Sequence, residues 1–222
     1  MQAKNDFSRF SSFFWDLDGT LTCSAEGIIN SVRYALESFG IKEPEDEKLK
    51  RFIGPPLSES FSVFYGLKDE DCKKAIEKYR EFYTDRGIFQ NGVYEGVAET
   101  LEALKKKGKK LYVATSKPEI FMFRILEHFG LSQYFDFAGG ADTVGLRNEK
   151  DKVIQYVIEH EGLQEEQKND RILMVGDRKH DILGARKHGI KCCGVLWGYG
   201  WREEFEEFKA DFIISRPEEL LD

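Results

Sequence analysis

Phe13-Phe14-Trp15 runs without a break into Asp16-Leu17-Asp18-Gly19-Thr20, and the rest of the chain is organised around that junction. A short apolar run ended by a turn signal reads as a strand buried on both faces. On an extended backbone, Asp16 and Asp18 point to the same side. Two carboxylates at one strand end repel unless something compensates them. A hard divalent cation would do so, because Mg²⁺ takes oxygen ligands. Gly19 lets the chain turn sharply straight afterwards.

The 222 residues suffice for one large core, or for a core domain and a smaller companion. A net charge of −7 argues against nucleic-acid and anionic-membrane partners. No apolar run is long enough to span a bilayer, and the first twelve residues lack the apolar core of a signal peptide. The four cysteines, Cys23, Cys72, Cys192 and Cys193, show no metal-type spacing. Free thiols in a reducing cytoplasm are expected, with Cys192 and Cys193 on opposite faces of a strand.

Residues 24–92 read as helical throughout. Ile28, Ile29, Val32, Leu36 and Phe39 fall at helical spacing before Gly40. A short helix stops at Gly54-Pro55-Pro56, another covers Leu57 to Tyr65, and a long one runs from Asp69 to Arg86. Phe61, Phe64, Tyr79 and Phe82 are expected to form the core of this unit. From Gly92 onward, helices and apolar runs alternate. The expected helices cover 94–107, 118–129, 150–161, 182–188 and 202–208, with a short one at the C-terminus. The expected strands cover 111–114, 134–138, 171–175, 190–196 and 211–215. Such alternation means a parallel sheet covered by helices on both faces. The fold class is therefore α/β and Rossmann-like, with residues 1–23 and 93–222 as the core. The all-helical segment 24–92 is an insertion after the first strand, placed to serve as a lid.

In open α/β sheets, ligands bind outside the carboxyl ends of the strands. Three apolar strands end there in polar residues: Asp16-x-Asp18, Thr115-Ser116-Lys117, and Gly176-Asp177-x-x-x-Asp181. Lys150, before a helix, adds an ammonium. Carboxylates, a hydroxyl and an ammonium around one point suit phosphoryl transfer through an acyl-phosphate on a carboxylate. Ser116-x-x-Glu119 also reads as a capping box, which would put an anion-favouring helix N-terminus beside Thr115.

These motifs, in this order, resemble those of the haloacid dehalogenase superfamily, in its phosphoglycolate phosphatase-like branch, over essentially the whole chain. The resemblance implies Asp16 as nucleophile, Asp18 as acid/base, Thr115 as the motif-two hydroxyl, and Lys150 as the phosphate-binding lysine, with Lys152 the alternative. It implies Mg²⁺ held by the Asp16 side chain, the Asp18 backbone carbonyl and Asp177, with Asp181 supporting. Ser116, Gly19 and Arg51 are the candidate substrate contacts, Arg51 reaching in from the inserted unit. Gly54-Pro55-Pro56 is expected to be a rigid break, and Trp197-Gly198-Tyr199-Gly200 a structural turn. Arg178 and Lys179 are expected to be solvated or salt-bridged, and His180 packed or exposed.

The implied function is Mg²⁺-dependent hydrolysis of a small soluble phosphomonoester. Phosphoglycolate leads, with nucleoside 5′-monophosphates and sugar phosphates as alternatives. A monomer is the default and a dimer the alternative. A β-phosphoglucomutase-type mutase carries a histidine where this chain has Ile28. The dehalogenases lack an acid at the Asp18 position. Phosphonate hydrolysis needs a Schiff-base lysine, and none of Lys42, Lys48, Lys50 or Lys68 lies in a matching segment. A non-catalytic phosphate-binding role is the remaining alternative.

Overall fold

The computed structural model describes residues 6–142 and 145–222. The chain divides into two compact units, one formed by Met1–Thr22 and Val93–Asp222, the other by Cys23–Gly92.

The larger unit is a six-stranded sheet in the order β3-β2-β1-β4-β5-β6, with every pairing parallel. Its strands are β1 (Ser12–Trp15), β2 (Lys110–Pro118), β3 (Phe137–Ala141), β4 (Ile172–Gly176), β5 (Lys191–Val195) and β6 (Phe212–Ile214). β1 lies between β2 and β4, with Phe13 level with both Leu111 and Leu173. The chain winds outward to β3 on one side, then returns to place β4 on the other. The boundary between β1 and β4 is thus the switch point where such sheets bind ligands.

Both faces of the sheet are buried, which explains why the strands are apolar at consecutive positions. On one face, Phe14, Tyr112, Ala114, Met174 and Cys192 join a core with Val153, Ile154, Val157, Ile182 and Phe205. Those partners come from α7 (Lys150–Glu161), α9 (Lys179–Lys187) and α10 (Arg202–Glu207). Phe13, Trp15, Val113, Leu173, Val175 and Cys193 alternate with the first set and are also buried. All four cysteines are free, and Cys192 and Cys193 are both buried.

The smaller unit is helical, with α1 (Ala25–Glu37), α2 (Asp46–Leu49), α3 (Leu57–Tyr65) and α4 (Asp69–Asp85). α1 packs along α4, burying Ile28, Ile29, Val32 and Leu36 together with Ala75, Tyr79 and Tyr83. The approach is close at Gly27, where an added Cβ would lie 1.9 Å from the Gly87 carbonyl oxygen. Phe52 packs on Phe61, Phe64 and Tyr65. Among the described residues, no helix is long and apolar enough to cross a membrane.

Several expected boundaries are corrected. The helix expected over 94–107 is α5 (Val97–Lys106), because Gly96 sits at φ +79° and breaks the chain before it. The strand expected over 134–138 is a 3-10 turn, Ser132–Tyr134, followed by β3. β2 runs past Thr115 to Pro118, with a register shift that lets Pro118 pair with Ala141. Ser116 therefore lies in a strand and caps nothing. α6 (Glu119–His128) starts after Pro118 with no side-chain cap, and Glu119 pairs with Arg147 instead. The structure adds a short helix α8 (Gln164–Lys168), which is too polar to show an apolar period in the sequence.

Candidate active site

β1 ends at Trp15, and the chain bends at Leu17 before Asp18 forms an isolated bridge with Thr22. The two aspartates are thus not successive positions of one extended strand, as the sequence suggests, and each acquires its own lysine. Lys150 Nζ lies 2.7 Å from Asp16 Oδ1 and 2.8 Å from Asp181 Oδ1. It also donates to the Ala114 carbonyl at 3.0 Å. Lys117 Nζ lies 2.7 Å from Asp18 Oδ2.

Lys150 opens α7, and its side chain is only 5% exposed; Lys152, two residues on, is exposed. The helix period separates them, turning one inward and the other outward. Gly184 of α9 makes room for the Lys150 stem, since a Cβ there would lie 2.8 Å from Lys150 Cγ.

Asp177 follows β4 and is fully buried. Its Oδ2 accepts the Tyr199 N–H at 2.8 Å, and its Oδ1 accepts the Thr20 hydroxyl at 3.3 Å. The Trp197 indole N–H donates to the Thr20 carbonyl at 3.0 Å. The segment Trp197–Gly200 therefore clasps Asp177, a contact its sequence did not announce. Glycine is required here by close approach: a Cβ on Gly19, whose φ is +84°, would lie 2.1 Å from Asp177 Oδ2. A Cβ on Gly200 would lie 2.0 Å from the Asp177 carbonyl oxygen.

Asp181 is also buried, and both its oxygens are engaged: Oδ1 by Lys150 and Oδ2 by the Arg178 N–H at 3.0 Å. Arg178 itself is salt-bridged to Glu204, and His180 is exposed. The Lys117 N–H donates to Thr115 Oγ1 at 3.2 Å, and Ser116 is half-buried between them. Arg51 lies in the smaller unit, in the 3-10 turn Lys50–Phe52, with its guanidinium over the Phe64 ring at 4.0 Å.

Burial dominates the electrostatics. It raises the Asp16 pKa, with the Lys150 ammonium opposing and the Asp181 charge adding. It raises the Asp177 pKa well above the usual carboxylate range, helped by Asp181 and Asp16. Burial pulls the Lys150 pKa down, but the Asp16 and Asp181 carboxylates outweigh it and hold the pKa above the ordinary value.

One carboxylate oxygen each from Asp16, Asp177 and Asp181 lie within 4.8 Å of one another. The donor set is all oxygen, which fits a hard divalent cation. Asp18 Oδ1 is buried, and no donor reaches it among the described residues.

Lys117 stands in the Thr115-Ser116-Lys117 strand end, but the motifs give it no role. A signal was available: Thr115 and Lys117 are two apart in a strand and share a side.

Residues 13–195 match the family model described as haloacid dehalogenase-like hydrolase. A 5′-nucleotidase from Pseudomonas aeruginosa is 42% identical over 88% of this chain and 87% of its own. Tyrosine-protein kinase PtkA from Mycobacterium tuberculosis is 41% identical over 90% of this chain but 64% of its own length. A phosphoglycolate phosphatase from Aquifex aeolicus is 32% identical over 93% of each chain. With its paired aspartates, buried lysine and acidic cluster at the switch point of a parallel sheet, the chain belongs to the haloacid dehalogenase-like hydrolases.

Proposed function

We propose that this protein is a divalent-cation-dependent phosphatase that hydrolyses a small phosphomonoester through a phosphorylated Asp16. The observation that carries this reading is the buried cluster of Asp16, Asp177, Asp181 and Lys150 at the β1/β4 switch point. It is the arrangement a transferring phosphoryl group needs: a carboxylate to attack, and positive charge to stabilise the equatorial oxygens.

Asp16 and Asp177 are the side chains proposed to hold the cation, with the Asp18 carbonyl as a third ligand. Asp181 supports them: its Oδ1 is ion-paired with Lys150 and its Oδ2 accepts the Arg178 N–H. When bound, the cation, Mg²⁺ in this reading, supplies charge neutralisation for the phosphoryl group.

An Asp16 oxygen attacks phosphorus, and the P–O bond to the leaving group breaks. Asp18 gives its proton to the departing oxygen, yielding the free alcohol and a phosphorylated Asp16. Asp18 then takes a proton from water, whose oxygen attacks phosphorus and frees Asp16 and inorganic phosphate. Lys150, proposed as the phosphate-binding lysine, also holds Asp16 in line for the attack, and Thr115 and Ser116 are proposed to donate to the phosphoryl oxygens. Gly19 brings the backbone close at the turn. The helical unit, Arg51 included, is proposed to serve as a cap that excludes water and selects the leaving group.

Two substrate classes are carried forward. Nucleoside 5′-monophosphates gain support from the 42% relative, and phosphoglycolate from the 32% one. The kinase activity named for PtkA is not carried over, since this chain matches only part of that protein.

The test is phosphate release from a panel holding both classes, hexose phosphates and p-nitrophenyl phosphate, with Mg²⁺ and with chelator. Asp16→Asn should lower release on the order of 10⁴-fold or more, as loss of a nucleophile does. Undiminished release from Asp16→Asn would sink the mechanism, and no release from any ester would sink the function. The best kcat/KM in the panel names the substrate.

A further inference from the structure

Lys117 has no role in the function just proposed, yet its side chain is 7% exposed and its ammonium lies 2.7 Å from Asp18 Oδ2. An ammonium is not buried without reason, because leaving water costs several kcal/mol unless a partner is well placed. Its ammonium pairs with the proposed acid/base residue. The structure therefore holds two separate lysine–carboxylate units: Lys150 with Asp16 and Asp181, and Lys117 with Asp18.

Local structure fixes this second unit. Lys117 lies on the stretch of β2 where the register against β3 shifts, between Ala114 and Pro118. Its N–H is tied to Thr115 Oγ1 at 3.2 Å. Asp18, in contrast, lies past the end of β1, beyond the bend at Leu17, without the ladder of a regular strand to hold it. A carboxylate in such a position needs another group to fix its rotamer. Lys117 takes Oδ2, and Oδ1 is left buried with no donor on it among the described residues.

We propose that Lys117 is a positioning residue for Asp18: it anchors Oδ2 so that Oδ1 is the oxygen presented to the leaving group. This rests on Asp18 being the acid of the proposed reaction. Proton transfer in the transition state needs the acid within hydrogen-bond reach of the departing oxygen, so a loosened Asp18 loses rate rather than binding. The loss is largest where the leaving group most needs a proton. An alkoxide leaves poorly without one, whereas p-nitrophenolate leaves readily.

The experiment compares wild type, Lys117→Met, Lys117→Arg, Asp18→Asn and the Asp18→Asn/Lys117→Met pair, all with Mg²⁺. Each is assayed on p-nitrophenyl phosphate and on the best alkyl ester of the panel. Thermal unfolding checks that every variant folds. The double variant replaces the ion pair by two neutral groups and leaves no buried charge unmatched. Lys117→Met should lower kcat on the alkyl ester by about 100-fold, within the range of general acid catalysis, with KM little changed. The loss on p-nitrophenyl phosphate should be several-fold smaller. Lys117→Arg should recover part of it, and Lys117→Met should cost nothing further once Asp18 is Asn.

An equal loss on both esters, or a loss confined to KM, overturns the inference, since Lys117 would then contact substrate or merely support the fold. A graded Asp18→Asn with an ungraded Lys117→Met overturns this inference alone. An ungraded Asp18→Asn overturns the acid role of Asp18 and this inference with it.

Discussion

Both units carry exposed one-turn ion pairs, but the sheet unit also holds a buried ion-pair cluster, and the contrast is between those two kinds of pair. In the helical unit, Lys48–Glu45, Lys50–Glu47, Lys73–Glu70 and Lys78–Glu81 pair across one helical turn at the surface. Such exposed pairs are screened by water and contribute little. In the sheet unit, Lys150 joins Asp16 and Asp181 with side-chain exposures of 5%, 14% and 1%. Its partners come from 134 positions before it and 31 after it, by the residue numbers themselves. The difference teaches where chemistry can be built. Local pairs form cheaply and hold nothing else in place. Non-local buried pairs need the whole sheet to assemble them, and they create strained electrostatics that a substrate or cation can relieve.

The most damaging way to probe that contrast is Lys150→Met. It leaves Asp16 and Asp181 buried without their cation, a loss of about 3–5 kcal/mol. In chelator, the thermal midpoint should fall by roughly 10 °C for a chain of this size. An unchanged midpoint would show that the cluster is wetter and weaker than its burial implies.

Gly19→Ala should come next. The added Cβ would meet Asp177 Oδ2 at 2.1 Å and the Tyr199 ring at 2.6 Å, on a backbone at φ +84°. Moving Asp177 should weaken cation affinity at least about 10-fold, read as the Mg²⁺ concentration needed to raise the thermal midpoint. Wild-type affinity in this variant would mean that Asp177 is not a ligand.

Cation and proton should compete at this site. Asp16 and Asp177 bind protons more tightly folded than unfolded, since burial raises both pKa values above 3.8. A carboxylate raised in the folded state adds no penalty below 3.8. The penalty grows as pH rises towards the folded-state pKa and is complete above it. Mg²⁺ should therefore stabilise most at neutral pH, by about 2.7 kcal/mol at 100 times its dissociation constant. The gain should fade as pH falls through the raised pKa values. A shift independent of pH would point to a site away from these carboxylates.

Lys73→Met sets the lower end of the series. With side chains 73% and 70% exposed, the Lys73–Glu70 pair should leave the thermal midpoint unmoved. If Lys73→Met and Lys150→Met cost the same, the contrast between the two kinds of pair collapses.

Much of this was legible beforehand, and the misses share a cause. The parallel sheet follows from consecutive apolar residues such as Leu111-Tyr112-Val113-Ala114, because a strand covered on both faces has no polar side to show. Lys150 was separated from Lys152 by motif spacing, and burial separates them again. The Ser116-x-x-Glu119 signal misled because capping boxes are read from four residues, whereas β3 pulled this segment into the sheet and Arg147 took Glu119. Gly96 and the polar α8 moved boundaries for equally local reasons.

The sequence alone singled out the residues to which chemistry is assigned: Asp16, Asp18, Thr115 and Asp177 each come at or just after an apolar run, which an α/β sheet delivers to one edge. Only the tertiary structure decided how they are paired. That Lys150 serves Asp16 and Asp181, that Lys117 serves Asp18, and that Tyr199 and Thr20 hold Asp177 all depend on contacts between segments far apart in the chain. Spacing along a sequence encodes local geometry. The low-dielectric proximity that makes these charges matter exists only once the sheet has closed around them.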